Sequence, residues 1–205
     1  MRFFSIESKF YKFMMPVGEM MILNACWILA SLPVITIGAA NTAMYAVMGQ
    51  RLRKESQGTV GPFFRAFWSN LLPATPFWLA QVLITFSLCL FFFLTLPVFL
   101  KVIAAVLLVL VTAVFSILYP QIARFKNRWF PYLRNAIILL VTRLRWVLEN
   151  LLLILAPVLL FLLVPMEFLQ FGFVWLLIGF SGMFYFSAQI MQDVLKPLEE
   201  LSVKR

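Results

Sequence analysis

The sequence predicts an all-helical, polytopic membrane protein with five or six membrane segments and amphipathic helices at the interface. Three observations lead there. Of 205 residues, 63% are apolar, 23 are Phe and only 12% are charged. A soluble domain of this size is about 45–50% apolar, so this chain has more apolar surface than a soluble core can hide. Four apolar runs, 74–96, 98–120, 147–165 and 170–190, are each long enough to cross a hydrocarbon layer that takes about 20 helical residues. The basic residues are concentrated in alternate connections, as the positive-inside bias leads one to expect.

Taken in chain order, residues 3–14 (FFSIESKFYKFM) set Phe3, Ile6, Phe10, Phe13 and Met14 on one helical face and Ser5, Ser8, Lys9 and Lys12 on the other. This is the pattern of an interfacial helix. VITIGAAN, residues 34–41, superficially offers a leader cleavage site, but Glu7, Lys9 and Lys12 precede the apolar core, so the N-terminus reads as retained.

Residues 14–54 hold SLPVITIGAANTAMY, residues 31–45, where Pro33 interrupts the apolar run. Pro cannot continue a helix ladder and pushes its predecessor toward extended geometry. Pro33 then ends one helix and Thr36 is a candidate N-cap for the next. In that second helix Ala39, Ala43, Ala46 and Gly49 form a stripe of small residues suited to close helix packing. A tight helical pair gives six segments and a cytoplasmic N-terminus. The alternative, one kinked crossing, gives five and an external N-terminus.

Segments 63–120 and 132–190 each read as an elbow followed by a hairpin, and 191–205 as a cytoplasmic tail. In the first elbow Phe63, Phe64, Phe67 and Leu71 oppose Arg65 and Ser69; in the second, Leu133, Ile137, Leu140 and Leu144 share a face. The two units form a loose repeat. Arg51, Arg53, Lys54 and Arg65 lie in one basic connection, and Arg124, Lys126, Arg128, Arg134, Arg143 and Arg145 in the other. The opposite loops hold Lys101 and Glu167. The basic side, with Lys196, Lys204 and Arg205, is therefore expected in the cytoplasm. Trp68, Trp129 and Trp146 fall where interfacial anchors belong.

Chemistry is sparse. There is no His, Asp193 is the only Asp, and Cys26 and Cys89 are single residues in apolar runs. No catalytic, cofactor or metal constellation is present, which argues against an enzyme. The net charge of +9 fits the positive-inside bias and not a nucleic-acid footprint. Two features remain as candidate sites. Asn41, Thr36 and Thr42, with Pro33, Gly38 and Tyr45, form a polar cluster suited to helix packing or to a site in a broken helix. Glu19 lacks a local partner and could reach Arg51 or Arg53 if the hairpin forms, whereas Glu149 stands four residues after Arg145. Gly172, Gly179 and Gly182 are a second small stripe, and Asn24 and Asn150 further isolated polar residues.

LPVITIGAANTAMYAV, GPFFRAFWSNL, YPQIARFKNRW and LRNAIILL together resemble the YesL-like family of small Gram-positive integral membrane proteins. The matching positions are Pro33, Thr36, Gly38, Thr42, Ala43 and Tyr45; Phe64, Arg65, Phe67 and Asn70; and Tyr119, Pro120, Arg124 and Phe125. The resemblance implies a bacterial cell-membrane location and no assigned activity or ligand residue. Members tend to be encoded beside ABC-type carbohydrate importers. It thus implies a non-catalytic accessory or scaffold subunit whose partners are the bilayer and the importer's permease subunits, with Phe64, Arg65, Phe67 and Asn70 as the partner-facing elbow. The alternative is a stand-alone facilitator or channel.

Overall fold

The computed structural model describes residues 9–55, 58–95, 97–126, 129–170 and 172–203, with the side chains of 9–13, 167, 168 and 199–203 left aside. Among these residues every regular element is a helix. Five helices are long and apolar enough to cross a membrane. The expected interfacial helix lies partly outside the described residues; from Lys9 onward its backbone is continuous with α1 (Lys9–Ser31). Arg128, Lys204 and Arg205 likewise fall outside the described residues, and the Glu167 side chain is not described.

The interruption at Pro33 is a reversal. A short 3-10 turn (Val34–Thr36) joins α1 to α2 (Ile37–Leu52), and the two helices run antiparallel. Three contacts fix the pairing from end to end. Thr36 Oγ1 lies 2.7 Å from Ala30 O, Trp27 Nε1 donates to Asn41 Oδ1 at 2.9 Å, and Arg51 Nη2 meets Glu19 Oε2 at 3.1 Å. With 16 residues, α2 rises about 24 Å, short of a hydrocarbon core of about 30 Å. It is also sheathed by protein: Gly38, Ala39, Ala40, Thr42, Ala43 and Met44 are all buried. α2 is the axis of the bundle, packed on α1, α3, α4 and α9. It ends at Lys54, which takes the left-handed conformation (φ 58°) while Glu55 N bonds Gln50 O, a C-terminal capping bond.

The first elbow and its span are one helix, α3 (Val60–Phe93), with Pro73 and Pro76 inside it. A break there would follow from proline chemistry, yet membrane helices tolerate proline where neighbours re-satisfy the freed carbonyls. Pro73 and Pro76 leave the carbonyls of Ser69 and Leu72 without their helical donors, yet the helix runs on through both. At 34 residues α3 is about 51 Å long, so its first turns stand outside the hydrocarbon. α4 (Val98–Arg124) completes the hairpin.

The second elbow is separate. α5 (Trp129–Thr142) meets α6 (Leu144–Leu163) at Arg143, whose φ of −122° and ψ of 33° leave the helical region. After α7 (Pro165–Gln170), α8 (Gly172–Val174) runs through a π turn, Trp175–Gly179, into α9 (Phe180–Val203). α9 continues beyond residue 190. Met191, Val194 and Leu195 are buried at helical spacing, so the start of the predicted tail belongs to the core.

Exposed Leu, Val and Phe residues crowd α3, α4 and α6, including Leu83, Phe86, Val102, Val106, Leu152 and Leu159. An apolar belt this extensive is the surface a bilayer covers.

Candidate functional site: the polar core around α2

The polar residues that looked isolated along the chain are brought together around α2. Pro33 and Thr36 build the reversal. Thr36 occupies the N-cap position of α2, but its hydroxyl makes no capping bond. It turns back to Ala30 O and Pro33 O, both at 2.7 Å, and so closes the open carbonyl end of α1. Trp78 Nε1 clasps the same turn through Val34 O at 2.7 Å. Gly38 makes room for this clasp, since a Cβ there would lie 2.5 Å from Trp78 Cβ and 3.0 Å from Ala74 O. Thr42 is spent locally, donating to Gly38 O at 2.8 Å.

Tyr45 starts a buried chain across three helices. Its hydroxyl bonds Ser187 Oγ at 2.7 Å, and Ser187 donates to Asn150 Oδ1 at 2.5 Å, so Tyr45 is the donor to Ser187. The Asn150 amide nitrogen, buried behind them, has no partner among the described residues, nor has either amide atom of the fully buried Gln121. Phe184 stands edge-on to the Tyr45 ring at 5.1 Å.

Two cavities meet at Tyr45. One, of about 220 Å³, lies at the basic end, between Gln50 and Arg53 of α2, Pro120 and Arg124 of α4, and Gln192 of α9. The other, of about 120 Å³, lies deeper, lined by Asn41, Gln81, Thr112, Ser116 and Tyr119, with Trp78 and Phe184 as aromatic walls. Tyr45 borders both. Ile154, the eleventh of twenty residues in α6, also lines the deep cavity and puts it near mid-depth of that span. Tyr119 donates to Gln81 Oε1 at 2.5 Å. Asn41 Oδ1 accepts from Trp27, and among the described residues no hydrogen bond is donated by the amide nitrogen of Asn41 or of Gln81.

Glu19 reaches Arg51, one of its two expected partners; Arg51 also donates to Thr59 Oγ1 at 2.9 Å. The pair is partly exposed, which leaves it a modest clamp between helix ends. Glu149 pairs with Arg145 at 3.1 Å. In the elbow, Phe67 is turned into the core beside Phe63, Phe64 is part-buried, and Asn70 Nδ2 bonds Ala66 O at 2.8 Å. Arg65 is exposed, and with Gln50, Glu55, Ser69 and Asn70 it lines a depression of about 450 Å³ at the basic end.

Residues 20–95 match the family model described as "Protein of unknown function, DUF624". The DUF624 match takes in α1 from Met20, α2 and all of α3, and so includes the Pro33 reversal, the Trp78 clasp and the first elbow. No curated protein and no solved structure matches the chain.

Asn24 was singled out only as an isolated polar residue, yet it is the best-bonded one. Fully buried, it donates to Trp175 O at 3.1 Å and Leu176 O at 2.6 Å, and accepts from Ser181 N at 2.9 Å. It satisfies the backbone groups that the π turn frees. The small stripe of the last span makes no close helix contact: a Cβ at Gly172 or Gly182 would have nothing within 4 Å, and one at Gly179 would run into the Trp175 ring of its own π turn. Gln81 stands among apolar neighbours in α3, and Thr112, Ser116 and Tyr119, although they share one face of α4 at helical spacing, form no recognisable motif. The one signal was Tyr119, present in the family resemblance. No group of three or more His, Cys, Asp or Glu able to hold a metal occurs among the described residues.

Proposed function

We propose that this is a non-catalytic integral membrane protein of the YesL-like kind, an accessory or scaffold subunit of an ABC-type carbohydrate importer in the bacterial cell membrane. The match to DUF624, a family that includes YesL-like proteins, supports the family part of this reading. The observation that carries the scaffold part is the depression of about 450 Å³ at the basic end. Its polar lining, exposed Arg65 and neighbouring exposed Trp68 are the residue types that anchor protein interfaces. The charge bias assigns this end, and both termini, to the cytoplasm. There a permease loop would find Arg65 beside Trp68 at the membrane boundary.

The test is a native co-purification from the source cell grown on complex carbohydrate, with a C-terminal tag and mild detergent. Near-stoichiometric permease subunits are expected, and Arg65→Glu with Trp68→Ala should release them while the protein stays folded. Recovery of the protein alone, or only as copies of itself, overturns the scaffold reading. A stand-alone facilitator is the second reading, favoured by the two cavities that meet at Tyr45.

A further inference from the structure

We infer that the mid-depth cavity is a binding site for a small uncharged alcohol, entered from the basic end past Tyr45. The site does not depend on the importer reading. Its lining limits the class of ligand. Most of the surface facing the cavity is apolar, and Asn41, Gln81, Thr112, Ser116, Tyr45 and Tyr119 set amide and hydroxyl groups from three helices among it. No Asp, Glu, Lys or Arg lines the cavity among the described residues, so nothing there offsets the cost of desolvating an ion.

The hydrogen-bonding capacity left over is of two kinds. The amide oxygens of Asn41 and Gln81 accept from Trp27 and Tyr119, and their amide nitrogens donate to no protein group among the described residues. Thr112 and Ser116 give their protons to Leu108 O and Ala113 O and keep oxygen lone pairs. A ligand must therefore accept from amides and donate to hydroxyl oxygens, as an alcohol does. Trp78 and Phe184 supply flat apolar walls for its carbon skeleton. A volume of about 120 Å³ is below the roughly 300 Å³ at which drug-sized pockets begin, which limits the solute to a few heavy atoms.

Tyr45 is the partition. Its ring borders both cavities, and its hydroxyl is held by Ser187, which Asn150 holds in turn. Opening requires one hydrogen bond to break and one ring to swing into the 220 Å³ space beside Arg53 and Gln50.

The experiment uses the full-length protein with Cys26 and Cys89 replaced by Ala, and Ser116→Cys or Thr112→Cys introduced singly, in inside-out membrane vesicles. The reagent is 2-aminoethyl methanethiosulfonate and the solute probe is glycerol. The expected result is slow modification, accelerated about tenfold by Tyr45→Ala, and slowed by glycerol at about 100 mM but not by sodium chloride. That glycerol concentration saturates a site of millimolar affinity. Two positions are used so that one surviving variant, monodisperse in detergent, suffices. No modification with or without Tyr45→Ala overturns the entry route. Modification that glycerol does not slow overturns the binding site.

Discussion

Asn24 and Asn150 are both fully buried side-chain amides, and they do opposite amounts of work. Asn24 serves two carbonyls and one N–H on the π turn. Asn150 accepts from Ser187 alone and leaves its nitrogen unpaired. An unsatisfied buried group costs about 1–3 kcal/mol. Asn24→Leu, which strands three backbone groups, should lower stability by about 3 kcal/mol or more. Asn150→Leu removes an orphan donor along with a bond and should cost about 1 kcal/mol. Thermal unfolding of the two variants in the same detergent measures the difference; equal losses would show that Asn24 is not what holds the π turn. Gly38 is the steric counterpart. Gly38→Ala places a methyl group 2.5 Å from Trp78 Cβ, closer than real Cβ contacts come. Because the obstructing atom is a Cβ and not a flexible tip, the helices must part, at about 1–3 kcal/mol. The same unfolding assay reads it, and an unchanged midpoint would mean the α2–α3 contact is looser than drawn.

At the scale of helices, the Glu19–Arg51 pair reports on how α1 and α2 are joined. Both side chains are partly exposed, so the double-mutant coupling energy between Glu19→Gln and Arg51→Gln should be about 1 kcal/mol or less and should shrink in high salt. A coupling well above that would indicate a clamp buried more deeply than the observed exposure. The reversal itself was legible in the sequence, because Pro33 can end a helix by its own chemistry, whatever surrounds it. The Arg145–Glu149 pair was legible for a similar reason: spacing on one helix is local information. The start of α3 was not, since the prolines at 73 and 76 signal a boundary that packing against the surrounding helices overrules. Nor was the deep cavity. Asn41 and Tyr45 stood out beside Pro33, whereas Gln81, Thr112, Ser116 and Tyr119 acquire meaning only when α3 and α4 fold against α2.

For the molecule as a whole, the apolar belt and the basic end together define how it sits in a bilayer. With the basic end inward, Ser69 at the elbow and Lys101 at the start of α4 lie on opposite sides. In a variant lacking Cys26 and Cys89, Lys101→Cys should react with an impermeant maleimide in intact cells. Ser69→Cys should react only after the cells are opened, and labelling in the reverse pattern would invert the proposed orientation. The elbow is also where the whole molecule departs from its apparent internal symmetry. The first elbow runs directly into its span, while the second is set off from its span by the break at Arg143. The loose repeat read from the sequence is thus geometrically unequal.

The π turn at Trp175–Gly179 gives the last span one more residue than a regular turn would hold. Each residue of an α-helix advances the azimuth by about 100°. Were these five residues wound as regular α-helix with none removed, every side chain after them would be clocked by about that angle relative to the segment before. Ser187 would leave Tyr45, and Met191 and Leu195 would swing out of the core. Asn24 is therefore a register key. By gripping the one irregular turn it fixes the rotational phase of α9, and through that phase decides which residues close the partition between the two cavities.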